Sequence, residues 1–257
     1  MERQAIHDRA LKDKVALVTG ASRGLGKAIA LALAEAGAQL ALVSRDKDLL
    51  TDTATEIRSL GGDAAVFPAD VSDEAQVKAL EKSVVGRFRQ LHILVNNAGI
   101  NLRKPMTEFG LEEWNCILHT NLTSAFLMCR SFVPHMKGLG YGRIINLTSM
   151  MSHISLPGRS AYSASKAGLL GFTRALALEL APEGITVNGI SPGPCATEMN
   201  RSLLDNPELS QFFLSRIPVG RWGRPEEIGR LAVYLCSAEA SFITGTDITI
   251  DGGWCAQ

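Results

Sequence analysis

The chain has 257 residues, 46% hydrophobic and 20% charged, enough to bury one large core and unlike a disordered or collagenous composition. Lysine plus arginine equals aspartate plus glutamate at 26 each, so no global field draws in nucleic acid or an anionic membrane, and a charged ligand must be met by local arrangement. The five cysteines, Cys116, Cys129, Cys195, Cys236 and Cys255, never stand at CxxC spacing, which argues against a disulfide framework and a zinc site and points to a reducing, cytoplasmic compartment. His7, His92, His119 and His135 show no ligand spacing, so no metal is expected. The start, "MERQAIHDRALKDK", mixes acids and bases and reads as an extension over residues 1–13. No run approaches the ~20 apolar residues of a membrane span, and no membrane partner is expected.

From Lys14 onward, short β-rich runs alternate with stretches at helical period, the βαβ pattern of a parallel sheet covered on both faces. No linker, repeat or low-complexity segment divides the chain, so residues 14–257 read as one doubly wound α/β domain. After the first strand, "KVALVT", comes "TGASRGLG", Thr19 to Gly26, running straight into a helix. Its glycines at 20, 24 and 26 allow a tight turn and let the backbone, with Ser22, Arg23 and Leu25, approach a pyrophosphate at the helix N-terminus. The second strand, "QLALVS", ends on Ser44 and Arg45, where a reader of a free ribose 2′-hydroxyl would be acidic. A guanidinium there suits a 2′-phosphate, with Arg23 in reach of the same group, so NADP(H) is favoured over NAD(H). Asp46 stands close enough to pair with one of the two arginines instead.

The third strand ends in "ADVSD", where Asp70, followed by Val71, is placed to meet an adenine amino group. The fourth ends in "NNAG", where Asn96 and Asn97 can tie neighbouring strands and Ala98 and Gly99 leave room for a cofactor. A long helical stretch follows, about 111 to 137, then the strand "GRIINLTS" ending on Ser149. Next comes a helix opening "SAYSASK", in which Tyr162 and Lys166, four apart, share one face. An ammonium beside a phenol favours phenolate, and Ser149 can present its hydroxyl to the same substrate oxygen, a sensible arrangement for hydride transfer to a carbonyl. The strand "ITVNGIS" and a last short strand, "TDITI", flank the least regular region, about 192–225. Its breakers, Gly193, Pro194, Pro207 and Pro218, surround one short helical piece, "TEMNRSLL", and mark it as a lid or substrate loop.

The ordered set "TGASRGLG", "NNAG", Ser149 and "YSASK" resembles the short-chain dehydrogenase/reductase family from about Lys14 to the end. The resemblance implies a Rossmann-type, doubly wound sheet of seven parallel strands and a tetrad at Asn121, Ser149, Tyr162 and Lys166. It makes Tyr162 the general acid/base and Ser149 the group that orients the carbonyl. Lys166 would bind the nicotinamide ribose and lower the tyrosine pKa, with Asn121 supporting a water that leads to it. "NGISPGPCATEM" looks like the family's segment after strand six, so Pro192, Gly193 and Thr197 are expected at the nicotinamide amide and diphosphate. Family members are commonly tetramers, and "FLMC" and "LLGFTRALALEL" carry apolar surface for such an assembly.

The expected partner is a small carbonyl or alcohol substrate. "NNAGINLRKPM" and "SMMSHISLPGRSAY" look like gluconate 5-dehydrogenases, and "RIPVGRWGRPEEI" and "DGGWCAQ" like 2-deoxy-3-keto-gluconate dehydrogenases. A sugar acid needs a cation for its carboxylate and polar groups for its hydroxyls, which Arg103, His153 and Arg159 can supply. The competing resemblances are to 3-oxoacyl-[acyl-carrier-protein] reductases, through "GITVNGISPG", and to broad ketone reductases of the tropinone reductase kind. A silent dinucleotide-binding protein would have lost the tyrosine, lysine or serine, and all are present.

Overall fold

The computed structural model describes residues 10–257. Seven strands form one sheet: β1 (Val15–Thr19), β2 (Gln39–Ser44), β3 (Asp63–Pro68), β4 (Ile93–Asn96), β5 (Gly142–Leu147), β6 (Ile185–Pro192) and β7 (Asp247–Ile250). Their order is β3-β2-β1-β4-β5-β6-β7 and every neighbouring pair is parallel. β1, β4, β5 and β6 are buried along their whole length, as continuous apolar runs must be when helices cover both faces.

The helices are α1 (Gly24–Glu35), α2 (Lys47–Ser59), α3 (Glu74–Phe88), α4 (Leu111–Leu118), α5 (Ser124–Phe132), α6 (Ser160–Leu180), α7 (Arg201–Leu204), α8 (Pro207–Leu214) and α9 (Pro225–Cys236). One face of the sheet packs against Ile29 and Leu33 of α1, Leu50 and Ile57 of α2 and Leu235 of α9. The other packs against Val77 and Leu80 of α3, Met128 and Phe132 of α5 and Leu180 of α6. The chain is thus a single three-layer, Rossmann-like domain. Of the extension expected over 1–13, residues 1–9, with His7, lie outside the described residues. Leu11 is fully buried and its N–H donates to the Ala36 carbonyl at 2.9 Å, so the packed domain begins before Lys14.

Two regions depart from the sequence expectation. The stretch from 111 to 137 is not one α-helix, because a π-helical segment, His119–Thr123, joins α4 to α5 and turns Asn121 inward to 2% exposure. In the loop after β6, Pro207 does not break structure but opens α8 at its first position, with Asn206 Oδ1 accepting from the Leu209 N–H at 3.0 Å. α7 and α8 then carry Leu203 and Phe213 onto a third apolar cluster with Met150, Met151 and Trp254, against which Tyr162 packs.

The strand order reverses between β1 and β4, so the loops leaving these strands diverge and open a crevice at their C-terminal ends. The crevice floor is tied across strands: Asn96 Nδ2 donates to Asn146 Oδ1 at 2.9 Å, and Asn97 Nδ2 to the Thr19 carbonyl at 2.8 Å. A Cβ at Gly26 would overlap the Gly20 carbonyl oxygen and the Asn97 amide, so α1 starts hard against both. Gly26→Ala is therefore expected to lower unfolding stability by roughly 1–3 kcal/mol, the range for overpacking. Urea denaturation checks this, and an unchanged midpoint would show that the loop relaxes freely.

Candidate active site

The turn from β1 into α1 takes left-handed backbone at Gly20 (φ 65°) and Gly24 (φ 57°), which only glycine adopts without strain. Arg23 at the α1 N-cap makes no side-chain cap and the first turn holds no acid, so its N–H groups meet no protein anion there. They border a cavity of about 1010 Å³ that reaches from this loop to Ser149, Tyr162 and Lys166. A glycine cradle at an uncapped helix N-terminus, with room beyond it, fits the pyrophosphate and the two nucleosides of a nicotinamide dinucleotide. Every residue expected from the sequence at the cofactor lines this one cavity, including Val71, Pro192, Gly193 and Thr197.

At the end of β2, Ser44 donates to the Asp46 carbonyl at 3.2 Å and Arg45 Nη1 lies 3.8 Å from Asp70 Oδ2. Arg45 is three-quarters exposed, and a pair so open to water is weak. Asp46 pairs with neither arginine; it caps α2 by accepting from the Leu49 N–H at 3.1 Å. Asp70 Oδ1 accepts from the Ser72 N–H at 2.9 Å and hydroxyl at 2.6 Å, which leaves Oδ2 toward Arg45. Arg23 reaches across the crevice mouth to Glu198, with Nη1 3.2 Å from Oε2.

Ser149, 7% exposed, ends the chain's run out of β5, and its Oγ accepts from the Met151 N–H at 3.1 Å in a short 3₁₀ turn. Lys166, 4% exposed, donates from Nζ to the Leu147 carbonyl at 2.5 Å and stands 5.8 Å from the Tyr162 ring centroid. Burial pushes its ammonium down to about 8. Burial also raises the Tyr162 phenol above its ordinary range, while the Ser149 hydroxyl and the guanidiniums of Arg159 and Arg103 act in the opposite sense. Both guanidiniums thus bias this phenol toward phenolate. Asn121 is committed locally: Oδ1 accepts from the Ile100 N–H at 2.8 Å, and Nδ2 donates to the Ile100 carbonyl at 2.9 Å and Ser165 Oγ at 3.0 Å. It clamps the loop after β4 beside Gly99, whose Cβ would stand 3.2 Å from Asn121 Oδ1 and 3.6 Å from Lys166 Nζ.

Of the three residues expected at the substrate, Arg103 and Arg159 line the cavity. His153 is not among its lining residues. Its Nε2 lies 2.6 Å from Asp247 Oδ2, at the start of β7. That carboxylate also accepts from Ser191 Oγ and Thr148 Oγ1, each at 2.6 Å, and so ties the turn carrying Ser149 to β6 and β7. Sequence reasoning missed Asp247, because its partner Thr148 is 99 positions away and no motif joins them. It also missed Glu198 and the wall of Met150, Met151, Phe213 and Trp222, although the aromatic residues of the irregular region were a usable signal.

Residues 20–255 match the family model described as enoyl-(acyl carrier protein) reductase. The 3-oxoacyl-[acyl-carrier-protein] reductase FabG of Staphylococcus aureus is 40% identical over 241 residues, 93% of this chain and 97% of that protein. The 2-dehydro-3-deoxy-D-gluconate 5-dehydrogenase of Pseudoalteromonas atlantica is 40% identical over 248 residues, 95% of this chain and 96% of that protein. The structure of a gluconate 5-dehydrogenase from Burkholderia cenocepacia, in complex with NADP and tartrate, superposes with a TM-score of 0.93 at 35% identity, covering 98% of this chain and 99% of that one. With a parallel seven-stranded sheet, a glycine cradle and a serine, tyrosine and lysine around one cavity, the chain belongs to the short-chain dehydrogenase/reductase family, as an oxidoreductase acting on CH–OH groups.

Proposed function

We propose that this protein interconverts a ketone and a secondary alcohol of a sugar acid with NADP(H), Tyr162 serving as general acid/base. The observation that carries the reading is the cavity's far end, where the Ser149 hydroxyl, the Tyr162 phenol and two guanidiniums converge with no protein carboxylate between them. A nicotinamide held in this cavity would supply or accept the hydride. Tyr162 passes its phenolic proton to the carbonyl oxygen in reduction and takes it back in oxidation, and Ser149 polarises that oxygen with a second hydroxyl. Lys166, held by the Leu147 carbonyl, would hold the nicotinamide ribose with its remaining N–H groups, and Asn121 keeps the loop after β4 in place. Met150, Met151, Phe213 and Trp222 exclude water from this end, and the segment 192–225 serves as the substrate lid.

For the cofactor, Arg45 and Ser44 at the end of β2 support NADP(H), since the weak Arg45 to Asp70 pair leaves the guanidinium available for a 2′-phosphate. NADP in the Burkholderia relative agrees with this, and tartrate, a dicarboxylate, agrees with an acid substrate. The second reading, reduction of a 3-oxoacyl thioester, is favoured by the likeness to FabG, but it leaves the two guanidiniums without an anion. The exposed Phe126 of α5 and Leu178 of α6 support a homotetramer, and five unpaired cysteines support a reducing cytoplasmic setting.

NADPH oxidation against 5-keto-gluconate and an acetoacetyl thioester tests the substrate; the keto acid is expected to turn over, and turnover of the thioester alone would overturn the sugar-acid reading. Tyr162→Phe is expected to lower turnover by roughly 10²- to 10⁴-fold with NADPH binding retained, as read by steady-state kinetics and a fluorescence titration. Arg45→Asp should move the NADPH to NADH preference toward NADH by roughly tenfold, about 1.4 kcal/mol. An unchanged ratio would show that Arg45 does not hold the phosphate.

A further inference from the structure

The two guanidiniums at the far end of the cavity are not equivalent. Arg103 is occupied: Nη2 donates to Asn200 Oδ1 at 2.9 Å and to the Met199 carbonyl at 3.4 Å, and Nη1 donates to Ser202 Oγ at 3.3 Å, so only Nε is enclosed without a partner. All three acceptors belong to the lid, in the turn before α7 and in α7 itself. Arg159 is 8% exposed, yet its guanidinium makes no hydrogen bond or ion pair among the described residues, and Nη1 is enclosed without an acceptor.

A charged group taken out of water is tolerated when something else satisfies it. The protein offers no anion here. The carboxylates that line the cavity are Asp46, Asp70 and Glu198, and they serve the α2 cap, Arg45 with Ser72, and Arg23 respectively. The anion must therefore arrive with a ligand. A dinucleotide's phosphates have their own cradle at the uncapped start of α1 and their own cations in Arg23 and Arg45, so they do not account for Arg159. The remaining ligand is the substrate. Arg159 stands three residues before Tyr162, at the N-cap of α6, and acts electrostatically on its phenol, which sets the anion at the same end of the cavity as the reacting carbon.

We propose that Arg159 is the residue that binds the substrate's carboxylate, its planar fork meeting the two oxygens, and that Arg103 holds the lid closed over the substrate. This rests on the sugar-acid reading above. It assigns the arginines different work: Arg159 discriminates acid from neutral ketone, whereas Arg103 affects every substrate that the lid must cover.

The test compares 5-keto-gluconate with its uncharged carboxamide as substrates for NADPH-dependent reduction by the intact enzyme, Arg159→Gln, Arg159→Lys and Arg103→Gln. The wild type is expected to prefer the acid. Arg159→Gln should lower the acid-to-amide ratio of kcat/KM by roughly 30-fold or more, mainly through KM, as loss of one partner of an enclosed charge pair does. Arg159→Lys should keep part of the preference, and Arg103→Gln should lower both substrates together with the ratio retained. If Arg159→Gln does not fold, the KM of Arg159→Lys for the acid decides, because a point charge without the fork must bind it more weakly. A ratio retained in Arg159→Gln and collapsed in Arg103→Gln would overturn the assignment while leaving the sugar-acid reading intact. A wild type that reduces the amide as well as the acid would overturn the assignment too. If it reduces only the thioester, the sugar-acid reading falls first and the assignment with it.

Discussion

Enclosing positive charge without a protein counter-ion is costly, and the cavity wall does it twice, at Arg159 and at Lys166. Lys166 is held by one neutral acceptor, the carbonyl of Leu147. That contact joins the last residue of β5 to the second turn of α6, and much of the site's geometry follows from it. It sets α6 at a fixed height against the sheet, which fixes Tyr162 four residues earlier. Ser149, two residues beyond Leu147, is then brought to the same phenol from the strand side. A formally neutral chain thereby gathers Arg103, Arg159 and Lys166 at one end of a single cavity.

The sheet supplies the rigidity this requires. Parallel strands with both faces covered place seven C-terminal ends in one row, and side-chain bonds tie those ends to one another, Asn96 to Asn146 and Asn97 to Thr19, and to the covering helix α6, Asn146 to Thr173. Each is buried or half-buried, where a hydrogen bond is poorly replaced by water. Asn121 belongs to the same set. Its amide is spent on the backbone of Ile100 and on Ser165, so its contribution is to hold the loop after β4 under Lys166.

Much of this was legible in the sequence because it is local. Short β-rich runs and stretches at helical period locate the strands and helices; "TGASRGLG" specifies its own turn; Tyr162 and Lys166 share a face by spacing alone. What could not be read is what depends on distant partners. The position of His153 shortly after Ser149 suggested substrate, and its contact with Asp247, 94 residues later, could not be read from it. Pro207 counted as a breaker because a proline stops a helix from inside and starts one at its first position, and only the Asn206 cap tells the cases apart. Arg103 and Arg159 look alike in sequence, and it is the segment after β6, folding back at residues 199–202, that occupies one and not the other.

The carboxylate of Asp247 fills the space where a side chain at position 189 would begin: a Cβ on Gly189 would collide with Oδ1, and its nearest other neighbour is Thr148 Oγ1 at 3.2 Å. The bare backbone of β6 and the acid of β7 are two halves of one shape, with the threonine before Ser149 as the third wall. These positions therefore cannot drift independently in related chains. A side chain at 189 is admissible only where 247 has become smaller or turned away, and that change would in turn release Thr148, Ser191 and His153, so one methyl group on β6 would alter the footing of the serine turn that leaves the neighbouring strand β5.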